Sequence, residues 1–265
     1  MLTEGNQVTE KGKYIYCIIG INEDRNFGSM GIGGRGDEVY TVCYQDLAAV
    51  ISDSPIMKYP IRRDNTLAHQ LVMEEVMKNY TLLPVKFGTI AESKNGIAPE
   101  ERIKEKVLKG RYTEFKNLLR DMDNKIELGV RALWKNMNAI FQEIVDENKK
   151  IKQLREKIAA KSSDQTYADK IALGEMVKAS LEAKKEREGR EILDVLKRSC
   201  VDFRTNKIYG DNMILNAAFL VDRSREKEFD NQIDELSTKY DDRIKFKYVG
   251  PVPPCNFVEV KVTWD

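Results

Sequence analysis

A helical pattern that runs directly into a strand pattern, over residues 64–90, most constrains how this chain can fold. In the first half, apolar side chains recur at helical spacing, at Ala68, Leu71, Val72 and Val76. The second half, residues 82–90, is short, β-branched and aromatic, which is typical of a strand. Pro84 cannot donate a hydrogen bond to a neighbouring strand, so we expect it at a strand start or a sheet edge. A helix that leads straight into a strand is half of an α/β unit.

The rest of the chain adds helix and strand patterns in an order that occurs twice. After residue 124 the order is strand, long helical region, two strands, helix and strand, which is the order of ferredoxin-like domains. The first half has strand patterns at 14–19, 38–43 and 46–52, and a helix that begins at Pro99. Its order is related, with a glycine-rich loop in place of the first helix. The sequence therefore predicts an α+β fold class with two ferredoxin-like domains.

These patterns place a domain boundary just before Asn124. We predict an N-terminal ferredoxin-like domain at 1–123, and its polar residues 1–13 are expected to form a disordered tail. We predict a C-terminal ferredoxin-like domain at 124–265, which ends in an extra strand at 257–262.

A long charged region at about 135–199 takes the place of the first helix in the second domain. Apolar residues at three- and four-residue spacing indicate two helices, which the polar segment 162–165 interrupts. Ser162 and Gln165 have the spacing of a capping box, in which two side chains satisfy the free N–H groups of a helix start. Two helices joined by a short loop predict a long helical-hairpin insertion.

The balance of charge excludes some classes of partner. The chain has 44 basic and 43 acidic residues, so its net charge of +1 gives no general attraction to nucleic acid or to an anionic membrane. No apolar run approaches the roughly 20 residues that span a bilayer. Four cysteines without a C-x-x-C pair indicate small buried side chains in a reducing cytoplasm, rather than a disulfide framework or a metal site. We therefore expect a cytoplasmic protein that binds neither nucleic acid nor membrane.

The segment 31–36 has the letters of a G-x-G-x-x-G dinucleotide motif. Such a motif must follow a strand directly and open a helix, because the helix N-terminus binds the pyrophosphate. Here about eleven residues separate the glycines from the preceding strand, and another strand follows. We predict a surface loop, and no cofactor.

Two polar residues at mostly apolar positions are expected to be structural. His69, the one histidine, lies at the rim of an apolar stripe, and no nucleophile or carboxylate is indicated beside it. Asn216 lies in a strand pattern that is apolar on both faces, so we expect it to be buried and bonded to a neighbouring loop or strand. A ligand contact is the alternative for Asn216. No convergent set of titratable residues is present, so we predict no catalytic residues and no enzyme activity.

Three motifs resemble those of the gas vesicle protein GvpF/GvpL family. The first is LAHQ at 67–70 followed by LPVKFGT at 83–89, the second is LNAAFLV at 215–221, and the third is GPVPPCNF at 250–257. Val252 and Cys255 occupy the usual aromatic positions of the third motif. The resemblance covers essentially the whole chain and is weakest in the helical hairpin. The motif residues that we expect to hold the structure together are His69, Pro84, Phe87, Gly88, Asn216, Gly250, Pro251 and Pro253.

The resemblance implies a minor structural or assembly protein of gas vesicles. It would act in vesicle formation with the hydrophobic shell protein GvpA and with other accessory proteins. The alternative is a small-molecule-binding or enzymatic ferredoxin-like module, since paired domains of this kind also form clefts.

A partner of a hydrophobic shell subunit needs an exposed apolar groove or an available strand edge. We expect this surface in the N-terminal domain, where the glycine-rich loop alone covers part of the sheet. Loops lie at the low end of local stability, so movement of this loop would expose apolar sheet surface at modest cost. The candidate partner surface consists of Phe27, Met30, Ile32, Val39 and Tyr40. The charged hairpin is expected to contact other accessory partners or nothing.

Overall fold

The computed structural model describes residues 11–160 and 166–264. Most of the predicted tail and the predicted capping box of Ser162 and Gln165 lie outside the described residues. Residues 11–13, predicted to belong to the tail, are the start of the first strand. The chain divides into two compact units, Met1–Glu127 with Pro251–Asp265, and Leu128–Gly250. Each unit contains an antiparallel sheet and helices, so the predicted α+β class is confirmed.

The first unit contains a mixed set of strands and helices. In chain order they are β1 (Lys11–Ile19), β2 (Asn26–Gly28), β3 (Val39–Tyr44), β4 (Leu47–Pro55), α1 (Arg63–Met77), β5 (Leu82–Pro84), β6 (Ile90–Ala91), α2 (Pro99–Arg102), a π-helix (Ile103–Lys109) and α3 (Tyr112–Met122). The sheet order is β2-β3-β4-β1-β5, and β6 also pairs with β1. Pro84 ends the edge strand β5, which agrees with its missing N–H.

Both faces of this sheet are buried. On one face Tyr14 and Tyr16 of β1 pack in a cluster with Val72 of α1 and Ile32. On the other face Ile15 of β1 packs in a cluster with residues of the π-helix, of α3 and of the C-terminal segment. Burial on both faces explains why β1 is apolar along most of its length rather than alternating with polar residues.

The predicted strand at 82–90 is interrupted. It divides into β5 and β6, and Gly88 between them has a φ of +81°, a value that favours glycine. The N–H of Lys86 leaves the pairing with β1 and donates to the carbonyl of Val260 over 2.9 Å. The segment around Val260, far away in sequence, therefore pairs with the chain here in place of β1, which interrupts the predicted strand.

The second unit is built on the remaining strands. Its elements are β7 (Lys125–Trp134, of which Leu128 onward belongs to this unit), α4 (Met137–Glu147), α5 (Lys149–Ala159), α6 (Tyr167–Leu196), β8 (Asp202–Thr205), β9 (Met213–Asp222), a 3-10 turn (Arg223–Arg225), α7 (Glu226–Lys239) and β10 (Ile244–Val252). The sheet order is β10-β7-β9-β8.

The predicted first arm of the hairpin is two helices in the described residues, not one. Asn148 is extended, and its side chain accepts hydrogen bonds from the N–H groups of Lys150 and Ile151 at the start of α5. The second arm, α6, approaches the sheet closely at Gly189. A Cβ at Gly189 would lie 2.6 Å from the carbonyl oxygen of Ile214, so only glycine fits there.

The C-terminal segment differs from the prediction in two ways. Residues 251–265 belong to the first compact unit rather than to the second. The predicted strand at 257–262 is also absent in this described segment, because only Val260 pairs with a strand-like neighbour, Val85. An alternating pattern indicates burial but does not specify the partner. That residue 124 begins a separately folding domain stays a prediction.

Candidate functional site

A glycine-rich loop, residues 29–37 and here called the glycine loop, covers part of one face of the first sheet. The N–H of Gly31 donates to the carbonyl of Asp37 over 2.9 Å, and the N–H of Ile32 donates to the hydroxyl of Tyr16 over 2.8 Å. A Cβ at Gly31 would lie 2.8 Å from the Asp37 carbonyl oxygen, so glycine is required there. The loop leads into β3, so its amides do not open a helix as a dinucleotide site requires.

The five predicted partner-surface residues do not form one exposed surface in this conformation. Ile32 and Val39 are completely buried, whereas Phe27, Met30 and Tyr40 are half-buried. The hydroxyl of Tyr40 accepts a hydrogen bond from Lys13 over 2.7 Å. Partner binding by these residues stays a prediction, and for Ile32 and Val39 it would require the hydrogen-bonded loop to open.

An open apolar groove lies between the glycine loop and α1. It has a volume of about 770 Å³. Apolar side chains from three segments line it, and bare glycine backbone forms part of its wall. Among the lining residues are Met30, Met57, Tyr59, Ala68, Leu71, Gly33, Gly34 and Gly36. Met57 and Leu71 are 47% and 49% exposed, so the groove is accessible to a partner.

The outward apolar face of α1 was not predicted. Leu71 was assigned to the inward stripe with Val72 and Val76, but the structure buries His69, Val72, Met73 and Val76 and leaves Leu67 and Leu71 exposed. The signal was present in the sequence, because Leu67, Ala68 and Leu71 make a second stripe more than a third of a turn away.

His69 connects α1 to the segment after β5 through a buried chain of hydrogen bonds. The N–H of Gly88 donates to the hydroxyl of Tyr14 over 2.9 Å, and that hydroxyl donates to Nδ1 of His69 over 3.0 Å. The other ring nitrogen then carries the proton, which fits the hydrogen bond between His69 and the backbone of Val85. Phe87 places its ring edge on the imidazole at 5.6 Å. The first motif is thus one connected structural unit.

Burial lowers the pKa of His69 from 6.5 to about 4, despite the hydrogen bond with Val85. The unfolded chain therefore binds this proton more tightly than the folded chain. Stability is full above pH 6.5, and we expect about 3 kcal/mol to be lost as the pH falls towards 4. Urea denaturation of the wild type and of His69→Gln at a series of pH values checks this. The free energy of unfolding of the variant should lack the decrease that His69 causes between pH 6.5 and 4. Because the chain has one histidine, an NMR titration midpoint near 6.5 would contradict the prediction directly.

The third motif holds the C-terminal segment in the first unit. The carboxylate of Glu127 accepts hydrogen bonds from the backbone N–H of Asn256 over 2.8 Å and from its side-chain amide over 2.5 Å. Glu127 is buried, and this burial raises the pKa of its carboxyl group. Gly250 has a φ of +140°, Pro251 is exposed, and the carbonyl of the buried Pro253 accepts the N–H of Cys255 over 2.7 Å. Gly250 to Pro253 thus redirect the chain after β10, and Asn256 then holds it against Glu127.

Asn216 of the second motif ties β9 to the loop after β8. Its amide donates to the carbonyl of Lys207 over 2.8 Å, in agreement with the predicted role. The residue is half-buried rather than buried, because β8 pairs with residues 217–220 of β9 and Asn216 lies just beyond them.

The described residues contain little that indicates metal chemistry. Within residues 11–160 and 166–264, no three His, Cys, Asp or Glu side chains are grouped as a metal site requires. No helix in the same two ranges is long and apolar enough to cross a bilayer. The most distinctive accessible feature of the first unit is therefore the apolar groove.

Comparison with known proteins gives consistent results over nearly the full length. The chain is 31% identical over 229 residues to gas vesicle protein F of Streptomyces sp. (strain CB03234), which covers 86% of this chain and 91% of that protein. It is 28% identical to gas vesicle protein F1 of Halobacterium salinarum, with 94% of this chain and 93% of that protein covered. The crystal structure of GvpF from Anabaena sp. PCC7120 shares the fold, with a TM-score of 0.78 at 23% identity and with 95% and 99% of the two chains covered. The family model for gas vesicle synthesis protein GvpL/GvpF matches residues 12–259, and the chain belongs to this family.

Proposed function

We propose that this protein is a non-enzymatic assembly or minor structural factor of gas vesicles that binds the hydrophobic shell protein GvpA through its first unit. Its family membership supports a role associated with gas vesicles. The observation that carries the rest is the open apolar groove beside α1, in a chain of which 33% of the residues are charged. A shell subunit with a face suited to gas needs a partner that covers apolar surface before assembly.

We also infer that both units are ferredoxin-like. The strand orders β5-β1-β4-β3 and β10-β7-β9-β8 support this, because each matches the ferredoxin-like order, in which the first and third of four strands lie side by side, between the fourth strand and the second. In the second unit, α4, α5 and α6 occupy the chain position of the first helix and would form the insertion. Its charged surface is suited to other accessory proteins rather than to an apolar shell subunit.

The chemistry of the groove favours binding over catalysis. Methionine, leucine, alanine, proline, tyrosine and glycine make up most of its lining, with Ser29 and Asn65 as neutral polar residues. Its charged lining residues are ion-paired, Arg35 with Asp37 over 2.6 Å and Arg62 with Asp64 over 2.9 Å. The nearby His69 side chain is buried and hydrogen-bonded, and its low pKa leaves it neutral at pH 7. An enzymatic module would need a convergent acid, base or nucleophile.

Co-purification of the full-length chain with GvpA tests this proposal. We expect the wild type to retain GvpA, and Met30→Asp to retain at least tenfold less, because an unpaired carboxylate in an apolar contact is costly to desolvate. The double variant Tyr167→Ser, Ile171→Ser removes exposed apolar side chains of the second unit and should retain as much as the wild type. Loss of GvpA binding in the Tyr167 and Ile171 variant but not in Met30→Asp would refute the proposal that GvpA binds to the first unit. Full-length variants are needed because the fragment 1–123 would lack Val258 and Val260 of its own core.

A further inference from the structure

Exposed aliphatic side chains are concentrated on one short stretch of the first unit. The loop between β4 and α1, together with the outward face of α1, carries Ile56, Met57, Ile61, Leu67 and Leu71, each at least 36% exposed. Ile61 reaches 86%. Single exposed apolar residues are ordinary on protein surfaces. Here Met57 and Leu71 line the apolar groove and each of the other three is next to a lining residue in sequence, a concentration that is typical of an interaction site.

The walls of the groove are suited to a helix rather than to an added strand. Ala68 and Leu71 of α1 line one wall of the groove. Leu67 is exposed just outside the lining, one turn before Leu71 and about 6 Å from it along the helix axis, and the two leucines form a ridge of the kind that packs against another helix. The opposite wall includes Gly33, Gly34 and Gly36, which have no side chains and positive φ values. A backbone in that conformation presents no continuous strand edge to pair with. Nothing lies within 4 Å of a Cβ position at Gly34 or Gly36, so these two glycines leave room for the side chains of an incoming helix, whereas the Arg35 side chain covers Gly33.

The charges beside the groove select the partner further. The segment from Ile56 to Asp64 carries three basic residues, Lys58, Arg62 and Arg63, and one acidic residue, Asp64, so its local charge is +2. All four are exposed. The whole chain has a net charge of only +1, so this positive charge is a local feature. In the described part of the chain, Arg62 pairs with Asp64, and no ion pair involves Lys58 or Arg63. Acidic residues on a partner would complement this charge.

We propose that this groove binds an acidic amphipathic helix of a partner protein. Aliphatic residues on one face of that helix enter between the glycine loop and α1, and acidic residues at its flank face Lys58, Arg62 and Arg63. The inference rests on the proposed function in that such a helix would belong to a gas vesicle protein. It goes beyond that function by naming the secondary structure and the charge of the ligand, and by naming the residues that select them.

Two synthetic peptides of about 15 residues, long enough to form a helix on binding, test the proposal on the full-length protein. Both carry leucines on one face, and the polar face is glutamate in one and lysine in the other. We expect the acidic peptide to bind at least tenfold more tightly by fluorescence anisotropy, and its affinity to fall with added salt. Leu71→Glu should weaken it at least tenfold. The matched control is Ile171→Glu in the second unit, since both residues are 49% exposed. The double variant Arg62→Glu, Arg63→Glu should abolish the preference for the acidic peptide.

Other results would overturn the inference. Equal binding of both peptides would refute the proposed selection by charge. An equal loss of peptide affinity in the Leu71 and Ile171 variants would refute the groove as the binding site. Binding to phosphatidylserine vesicles, with neither peptide bound, would assign the surface to a lipid. Retention of GvpA by Leu71→Glu at the wild-type level would leave the proposed function standing and refute the groove as the GvpA contact. Peptide binding by a wild type that does not retain GvpA would refute the proposed function alone.

Discussion

A chain that ends at Val252 is expected to lose the folded structure of its first unit, although it keeps β1 to β10. The deletion removes Val258 and Val260, which are 8% and 1% exposed in the cluster that contains Phe115. It also removes the strand-like bonds of Val260, which donates to the carbonyl of Pro84 over 2.7 Å and accepts from Lys86 over 2.9 Å. Burial of each valine contributes about 1.5–3 kcal/mol relative to its exposure.

The deletion also leaves a buried carboxyl group without its partner. Glu127 is 4% exposed, and its hydrogen bonds from Asn256 would be lost. A buried charged group that loses its hydrogen bonds costs about 1–3 kcal/mol or more. The sum, about 5 kcal/mol or more, is comparable with the whole stability of a typical domain. The first unit should therefore unfold, or survive only marginally.

Hydrogen–deuterium exchange of β1 measures this effect directly. Protection of the β1 amides should fall to nearly that of unfolded chain in the truncated protein. The control is full-length Lys261→Ala, because this side chain is 71% exposed, and its stability should change by less than about 0.5 kcal/mol. Unchanged β1 protection in the truncated chain would mean that the C-terminal segment contributes little, and that the boundaries 1–123 and 124–265 describe independent folding units.

Arg243→Ala is expected to cost the second unit about 2–3 kcal/mol, between the values for an exposed and a fully buried ion pair. The Arg243 guanidinium contacts Glu143 over 2.6 Å and Glu188 over 2.7 Å. The indole N–H of Trp134 donates to the second Glu188 oxygen over 2.7 Å, and the buried Lys184 contacts Glu143 over 2.9 Å. Removal of the arginine leaves Glu143 and Glu188 with Lys184 as the one remaining cation, which Glu143 already shares with Glu147. Glu188 is only 11% exposed, which is why the cost exceeds that of a surface ion pair.

Urea denaturation followed by fluorescence of Trp134, in a Trp264→Phe background, measures this loss. The control is Arg190→Ala, because Arg190 is 66% exposed and pairs with Glu186 on the surface of α6, so its loss should cost less than about 1 kcal/mol. Equal effects of the two substitutions would show that the network around Arg243 is no stronger than an exposed pair.

The pH dependence of the same network has a defined sign. Hydrogen bonds from Arg243, opposed by burial and aided by Lys184, lower the pKa of Glu143 from 4.5 to about 2. A carboxyl group with a lowered folded-state pKa stabilises the fold fully above pH 4.5, and its contribution is lost as the pH falls towards 2. The stability difference between the wild type and Arg243→Ala should therefore shrink over that interval. A difference that stays constant from pH 5 to pH 2.5 would contradict this assignment.

The sequence by itself determined the local elements and the family. α1 begins within one residue of its predicted start, and α2 begins at Pro99 as predicted. The motifs around His69 and Asn216 identified the family that the comparisons establish. These features depend on the spacing of apolar side chains along a few turns or a few strand residues, and on short runs of letters, both of which are readable without knowledge of distant contacts.

Only the tertiary structure decided which surfaces meet. Periodicity could not show that Val260 belongs to the core of the first unit, or that Leu71 faces outward while Val72 faces inward. It also could not show that His69 bonds to Tyr14, 55 residues earlier in the chain. The spacing of apolar residues along a helix or strand indicates which face of that element is buried. The partner on that face comes from contacts between residues far apart in sequence, and those contacts are selected by the packing of the whole unit.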